Sequence, residues 1–205
     1  MHERCLKKTT QSVPTRLIDI GEAGPRLRLA EEVAIHAKYV TLSHCWGKLK
    51  FPTLTSASLD EFRKTIPVES LPKTFQDAIC IARDLGFPYI WIDSLCIIQD
   101  SLKDWERESV LMSQVYACAM LNIAATDAKD ASIGCFHKRK QNWRCRVLDS
   151  EQKRPYDVYP STALDLPYNP LGKRAWVLQE RYLSPRVLHF AANQVFWECI
   201  LHLPA

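Results

Sequence analysis

The pattern of apolar and polar residues predicts two strand–helix–strand units that share one strand. Short apolar runs occupy residues 39–43, 89–92 and 121–126, and amphipathic helical patterns lie between them at residues 72–85 and from near residue 104. Strands with unbroken apolar sequences are typical of a parallel sheet whose two faces are covered by helices. Because such units follow one another with right-handed crossovers, the sequence predicts an α/β fold with a central parallel sheet and flanking helices.

Weaker strand patterns precede the two strand–helix–strand units. Residues 16–20 and 26–29 alternate polar and apolar side chains, and glycine and proline residues lie between them. Two short strands joined by a turn have this pattern, and we expect them to form a hairpin at an edge of the sheet. We therefore interpret residues 1–37 as a lead-in to the main domain, which we place at residues 38–199. Apolar side chains at helical spacing predict a short helix within residues 59–66.

The last third of the chain is less regular. Prolines interrupt a polar and basic stretch that contains one isolated strand-like segment at residues 156–159. A short helix is predicted at residues 174–180, and two alternating runs at residues 186–190 and 195–199 predict a β-hairpin. We expect an irregular C-terminal part that contains this hairpin, followed by a truncated tail at residues 200–205.

Composition and charge exclude some classes of function. The 205-residue chain has 47% hydrophobic and 24% charged residues, which is ordinary for a globular protein with one full core. Its net charge of +4 comes from 27 basic and 23 acidic residues spread along the sequence. The dense basic run at residues 137–140 is better explained as a solvated loop than as a nucleic-acid site, so we expect no nucleic-acid partner.

Cysteine usage and hydropathy indicate the compartment. The eight cysteines include no CxxC pair, and the amino-terminal residues lack the pattern of a secretory signal peptide. No run of 18 apolar residues occurs, so we expect no membrane span. These features predict a cytoplasmic protein with free thiols. Cys135, His137 and Cys145 lack the spacing of a zinc site and a fourth ligand, so we expect no metal.

Polar side chains follow two of the predicted central strands. Ser43 ends the first strand and is followed by His44 and Trp46, and Asp93 follows a later strand. In open α/β sheets ligands bind outside the carboxyl ends of the strands, so we predict that these four residues line a substrate pocket. Two structural alternatives remain open: a tight turn at Gly47 with Trp46 covering the core, and Asp93 capping the following loop.

One carboxylate interrupts the apolar face of the second long helix. Glu108 lies three residues after Trp105 and four before Met112, so it shares their side of the helix. A carboxylate that points inward is costly unless it is paired, hydrogen-bonded or protonated. This predicts either a catalytic group or a structural one. In the structural alternative Glu108 caps the helix or pairs with a buried arginine such as Arg174 or Arg181.

Other titratable residues give weaker signals. Glu180 shares a helix face with Trp176 and Gln179, and packing with a local hydrogen bond is the favoured interpretation. His189 falls in a predicted hairpin strand, where we expect no catalytic role. The cysteines after the central strands have no base beside them in the sequence, which disfavours a thiol hydrolase.

Five sequence blocks carry a family resemblance. They are YVTLSHCWG at residues 39–47, LPKTFQDAI at 71–79, YIWIDSLCIIQD at 89–100, DWERESVLMSQVYACAMLNIAAT at 104–126 and RAWVLQERYLSPRVLHF at 174–190. In this order and spacing they resemble the fungal heterokaryon-incompatibility (HET) domain family, and the resemblance covers about residues 38–199.

The resemblance implies a role in fungal non-self recognition, in which an activated effector domain triggers programmed cell death of fused cells. Such domains usually belong to larger proteins, so further domains are implied as partners. The family is thought to be distantly related to Toll/interleukin-1 receptor (TIR) domains, which implies a flavodoxin-like parallel sheet. Many TIR domains hydrolyse NAD with a helical glutamate shortly after a tryptophan. Glu108 follows Trp105 in a similar way, with a spacing one residue shorter than is typical of TIR domains.

Two functions of different class follow from this resemblance. In the first, the domain is an NAD glycohydrolase for which NAD is the substrate and no cofactor is needed. In the second, it is a non-catalytic, TIR-like module that forms homo-oligomers. For the first we expect Glu108 to be catalytic, and the residues expected to bind substrate are Ser43, His44, Trp46, Asp93 and Trp105.

Overall fold

The computed structural model describes residues 12–138, 145–148, 155–158 and 169–200, which contain nine strands and five α-helices. The strands are β1 (Arg16–Asp19), β2 (Arg26–Leu29), β3 (Tyr39–Ser43), β4 (Tyr89–Trp91), β5 (Leu121–Ala124), β6 (Cys145–Leu148), β7 (Pro155–Val158), β8 (Arg186–Phe190) and β9 (Val195–Cys199). The helices are α1 (Leu59–Lys64), α2 (Lys73–Asp84), α3 (Asp93–Cys96), α4 (Leu102–Cys118) and α5 (Ala175–Leu183).

Seven of the strands form one mixed sheet in the order β2-β1-β4-β3-β5-β8-β9. The central strands β4, β3, β5 and β8 run parallel, and the hairpins β1–β2 and β8–β9 continue the sheet antiparallel at its two edges. The predicted α/β fold with a parallel sheet and flanking helices is confirmed. The chain runs from β3 through α2 to β4 on one side, and then through α4 to β5 on the other side of β3. This reversal of strand order marks the place where ligands bind in open α/β sheets.

Helices cover both faces of the sheet, and β3 is buried along its whole length. The Tyr39 hydroxyl donates a hydrogen bond to the Val115 carbonyl of α4 at 2.7 Å. Ser43 lies four positions after Tyr39, so the alternation of strand side chains places it on the same face, under α4. His44 contacts the Phe75 ring of α2, with 4.8 Å between the ring centroids. The end of β3 therefore supplies polar side chains to both faces of the sheet.

Local sequence signals explain where the long helices begin and end. Helix α2 begins directly after Pro72 and is followed by Gly86, whose φ of 78° favours glycine. Helix α4 begins after Ser101, whose hydroxyl accepts a hydrogen bond from the Asp104 amide at 3.3 Å. Both helices lie within two residues of their predicted positions.

The edge elements agree with the predictions, with one correction. The N-terminal hairpin lies at a sheet edge as predicted, since β1 pairs with both β2 and β4. The C-terminal hairpin has the predicted bounds. The segment predicted as an isolated strand at residues 156–159 is instead half of a small hairpin, because β7 pairs with β6 in a separate two-stranded sheet. The partner strand was missed because it lies in a basic stretch without clear alternation. Residues 201–205 of the predicted tail lie outside the described residues.

No helix in the described part of the chain combines the length and the apolar character needed to cross a membrane.

Candidate functional site

Two cavities open at the carboxyl edge of the central strands, one on each side of α5. The first, which we call the sheet cavity, lies between α5 and strands β3, β5 and β8 and has a volume of about 290 Å³. The second, which we call the tryptophan cavity, lies between α4, α5 and the loops after β3 and β4 and has a volume of about 180 Å³. The sheet cavity is lined by residues including Ser43, Asn122, Val177, Arg181, Val187 and His189. The tryptophan cavity is lined by residues including Trp46, Asp93, Trp105, Arg174, Trp176 and Glu180.

A buried carboxyl group, Glu180 of α5, lines the tryptophan cavity. Its side chain is 5% exposed, and its Oε2 atom has no hydrogen-bond partner among the described residues. Burial raises the pKa of Glu180 to about 7, and the charge of Asp93 adds to this effect. The hydroxyls of Ser43 and Tyr116 and the Arg174 guanidinium favour the charged form and limit the rise in pKa. A carboxyl group that titrates near neutral pH inside a cleft is typical of an acid–base or electrostatic role in catalysis.

The residues after β3 and β4 hold each other in place beside Glu180. The Trp46 indole donates a hydrogen bond to Asp93 Oδ2 at 2.8 Å, and the Ser94 amide donates to Oδ1 at 2.7 Å. Asp93 therefore fixes the loop that opens α3 and lines the tryptophan cavity at the same time, so its structural role and its expected binding role are compatible. Gly47 adopts a φ of 67°, which is the tight turn expected there.

His44 lies beneath this edge and does not line either cavity. Burial lowers its pKa to about 4, because the effect of burial exceeds the opposing charge of Asp93 and Arg174 acts in the same direction as burial. Its Nδ1 atom is 3.9 Å from Asp93 Oδ1, which is too long for a hydrogen bond, and its Nε2 atom has no partner within the described ranges. The His44 carbonyl accepts a hydrogen bond from the Arg174 guanidinium. His44 is thus a buried ring that packs beneath the loop, and its expected role in substrate binding stays a prediction.

A buried polar network forms the floor of the sheet cavity. Asn122 Oδ1 accepts hydrogen bonds from the Thr41 hydroxyl at 3.1 Å and the Ser43 hydroxyl at 3.2 Å. Asn122 Nδ2 lies 2.9 Å from the Ser43 oxygen. These contacts join neighbouring strands β3 and β5 on one face of the sheet, since Thr41 pairs with Asn122 in the register. Ser43, a predicted binding residue, therefore faces this cavity, and Asn122 faces it as well.

A second polar cluster lies at the other end of the sheet cavity. His189 Nε2 is 3.0 Å from Glu198 Oε2, and Arg181 makes two hydrogen bonds of 2.7 Å to the same carboxylate. These contacts outweigh burial and lower the pKa of Glu198 to about 2. His189 Nδ1 is also 3.1 Å from the Thr126 hydroxyl. Because Glu198 stays ionised, it neutralises the positive charge at this end of the cavity.

Glu108 lies in an ion-pair cluster that lines neither cavity. It is 2% exposed, and its Oε1 atom is 3.3 Å from Arg16 and 3.0 Å from Arg107. Asp104 completes the cluster with ion pairs of 2.5 Å to Arg16 and 2.8 Å to Arg107. These contacts match the structural alternative, with partners other than the two arginines expected from the sequence. The catalytic role of Glu108 stays a prediction.

The structure thus brings most of the predicted binding residues together. Trp46, Asp93 and Trp105 share the tryptophan cavity, and Trp105 is half exposed at its rim. From the sequence, packing with a local hydrogen bond was the favoured role for Glu180, and its contacts with side chains of β3 and α4 were not foreseen. A signal for it exists in the block RAWVLQER, where an arginine, a tryptophan and a glutamate occur within one short helical segment.

Comparison with known proteins identifies the family. The family model described as heterokaryon incompatibility protein (HET) matches residues 39–180, which is well over half of the chain. This range contains both loops at the sheet edge and Glu180. Neither the search of curated proteins nor the search of solved structures finds a significant match. The family match is sufficient by itself, and the chain belongs to the heterokaryon incompatibility (HET) family.

Proposed function

We propose that this HET domain is an effector that triggers programmed cell death by hydrolysing NAD to nicotinamide and ADP-ribose at the carboxyl edge of its sheet. One observation carries the proposal. The buried carboxyl group of Glu180 lies at a cavity with three tryptophans, next to a second cavity with polar and apolar walls.

The reaction needs one well-placed carboxylate. The bond between C1′ of the ribose and the nicotinamide nitrogen breaks, and its electron pair leaves with nicotinamide as a neutral pyridine. The positive charge that develops on the ribose is stabilised by a nearby carboxylate, as in glycosidases. Water then adds to C1′ and its proton passes to the carboxylate and on to solvent. The products are nicotinamide, ADP-ribose and one proton.

The geometry supports Glu180 for this carboxylate. It lines the cleft, whereas Glu108 is held between Arg16 and Arg107. Asp93, at the same cavity, is suited to accept hydrogen bonds from ribose hydroxyls, and the tryptophan rings are suited to stack on a flat ligand.

The proposal is tested by measuring the free nicotinamide that the purified domain releases from NAD. We expect release by the wild type and a loss of at least about hundredfold in Glu180→Gln, which keeps the shape of the side chain. Glu108→Gln is the matched control, because it makes the same change at a glutamate outside the cleft. If a folded Glu108→Gln variant loses activity and Glu180→Gln keeps it, Glu108 and not Glu180 is the catalytic carboxylate. If the wild type releases no nicotinamide even when oligomerised by a fused coiled coil, NAD hydrolysis is refuted.

A non-catalytic, self-associating module is the second candidate. Apolar side chains are exposed on α5 and β9, among them Leu178 at 62%, Tyr182 at 58% and Trp197 at 50%. Such a surface is suited to contacts with a second copy of the chain. This candidate predicts that Glu180→Gln remains fully toxic when expressed in cells, whereas NAD hydrolysis predicts that toxicity is lost.

A further inference from the structure

We infer that the tryptophan cavity is a binding site for a flat organic cation, and that the substrate enters it with the positively charged pyridinium ring of oxidised nicotinamide. The inference rests on the proposed NAD hydrolysis and adds a substrate class to it. That class is the ribosides of pyridinium rings. It includes NAD and excludes the reduced dinucleotide, whose nicotinamide ring is neutral.

Three aromatic side chains from separate elements line this small cavity. Of the six tryptophans in the chain, Trp46 comes from the loop after β3, Trp105 from α4 and Trp176 from α5. Trp105 and Trp176 are each half exposed, so their rings can be reached by a ligand. The face of an indole ring carries partial negative charge and attracts cations more strongly than the other aromatic side chains do. Indole rings around one cavity therefore favour an organic cation.

Trp46 is held in place by contacts within the protein. Its indole N–H donates a hydrogen bond to Asp93 at 2.8 Å, and its ring packs against Phe51 with 5.9 Å between the ring centroids. An incoming ring thus meets a fixed aromatic side chain, and binding loses little conformational entropy at this residue.

The charged groups at the cavity favour a cation over an anion. Two carboxyl groups, those of Asp93 and Glu180, line it together with one guanidinium, that of Arg174. Arg174 also donates a hydrogen bond to the His44 carbonyl, so part of its donor capacity is used within the protein. A diphosphate would face both carboxyl groups, whereas a pyridinium ring is attracted by them and by the indoles.

The size of the cavity determines which part of the substrate it holds. Its volume of about 180 Å³ is well below that of pockets that enclose drug-sized ligands, roughly 300–1,000 Å³. One ring fits, and the rest of a dinucleotide extends outward. Because Glu180 lines the same cavity, the bond between the ring and its ribose comes within reach of that carboxyl group.

The first test compares two ligands that share one ring and differ in charge. Calorimetry measures the affinity of the purified domain for 1-methylnicotinamide, which is a cation, and for nicotinamide, which is neutral. We expect the cation to bind at least about tenfold more tightly, because cation–π attraction and the carboxyl groups act on its charge. Equal affinities, or no binding of the cation to the folded domain, would overturn the inference.

The second test locates the site by substitution of one tryptophan. Trp176→Leu removes a half-exposed indole of the cavity, and Trp197→Leu makes the same change at a half-exposed tryptophan of β9 that lines neither cavity. We expect affinity for 1-methylnicotinamide to fall at least about fivefold in Trp176→Leu and to stay unchanged in Trp197→Leu. If Trp176→Leu does not fold, Trp105→Leu decides. Unchanged affinity in a folded cavity variant would show that the cation binds elsewhere and would overturn the inference.

Both tests measure binding without turnover, so failure of the inference and failure of the proposed function are distinguishable. If the domain releases nicotinamide from NAD but binds the two ligands equally, the proposed function stands and the inference fails. If it hydrolyses no NAD but prefers the cation through Trp176, the proposed function fails and the cation site stands. If it does both, 1-methylnicotinamide should inhibit nicotinamide release competitively. Non-competitive inhibition would place the cation outside the substrate site and overturn its link to the substrate.

Discussion

Glu180 and His44 are buried at the same sheet edge, and burial shifts their pKa values in opposite directions. Glu180 has a pKa raised to about 7, so the folded state holds this proton more tightly than the unfolded state. Its contribution to stability therefore falls as pH rises from its ordinary pKa of 4.5 to about 7. His44 has a pKa lowered to about 4, so its contribution rises between about pH 4 and its ordinary pKa of 6.5. The two effects partly cancel in the wild type.

Glu180→Gln separates the two pH effects. We expect the free energy of unfolding of the variant, relative to wild type, to increase by roughly 3 kcal/mol between pH 4.5 and pH 8, because a neutral amide has no charged form to desolvate. Urea unfolding at several pH values measures this difference. Glu106→Gln, the same change at an exposed residue of α4, is the control and should show no such trend. Parallel stability curves for wild type and Glu180→Gln would refute the raised pKa.

At the scale of elements, the turn after β3 fixes the position of the tryptophan cavity. Gly47 combines a φ of 67° with close packing, since a Cβ atom at this position would overlap the side chain of Asp130. Trp46 precedes this glycine and binds Asp93. The turn therefore packs the end of β3 against the loop that contains Asp130, which lies more than 80 residues further along the chain.

Two glycine substitutions test this turn. We expect Gly47→Ala to lower the free energy of unfolding by at least about 2 kcal/mol, because backbone strain and overlap with Asp130 add. Gly24→Ala is the matched control, since Gly24 has a φ of 91° but a methyl group there would meet no other atom within 4 Å. It should lose only about 1 kcal/mol, from backbone strain alone. Chemical denaturation measures both, and equal losses would show that the contact with Asp130 is unimportant.

Local patterns predicted the elements better than they predicted the site. The apolar runs of β3, β4 and β5 are local signals, and the strand ends carrying Ser43 and Asp93 had to meet at one edge of a parallel sheet. The environment of Glu180 is not local, because the hydroxyls and the carboxylate that interact with it come from β3, α3 and α4. The same holds for Glu108. The helix pattern predicted that Glu108 is buried. It did not predict its partner Arg16, because Arg16 lies far away in the sequence, in β1.

At the scale of the whole molecule, the folded sheet extends beyond the residues that the family model matches, at both ends. The family match begins at residue 39, whereas the sheet includes β1 and β2 before it and β8 and β9 after it. Three side chains of the N-terminal hairpin, Leu17, Ile18 and Leu27, are fully buried. The hairpin also supplies Arg16 to the ion-pair cluster of α4. Residues outside the family range thus complete both the core and the charge pairing of the domain.

Removal of residues 1–37 tests whether this hairpin is required. Each fully buried aliphatic side chain contributes roughly 1.5–3 kcal/mol, and breaking a buried ion pair costs about 3–5 kcal/mol. Together these losses are comparable to the total stability of a typical domain, roughly 5–15 kcal/mol. We therefore expect the shortened chain to lack a cooperative thermal transition by circular dichroism.

A matched variant separates loss of the hairpin from loss of its surface charges. Arg26→Ala combined with Arg28→Ala removes two partly exposed ion pairs with Asp19 and leaves the buried face of the hairpin intact. This double variant should stay within about 1 kcal/mol of wild type, because exposed ion pairs contribute little. A cooperative transition at the wild-type temperature in the chain lacking residues 1–37 would instead show that β3–β5 and their helices fold without the edge strand. In that case the family range itself would be the folding unit.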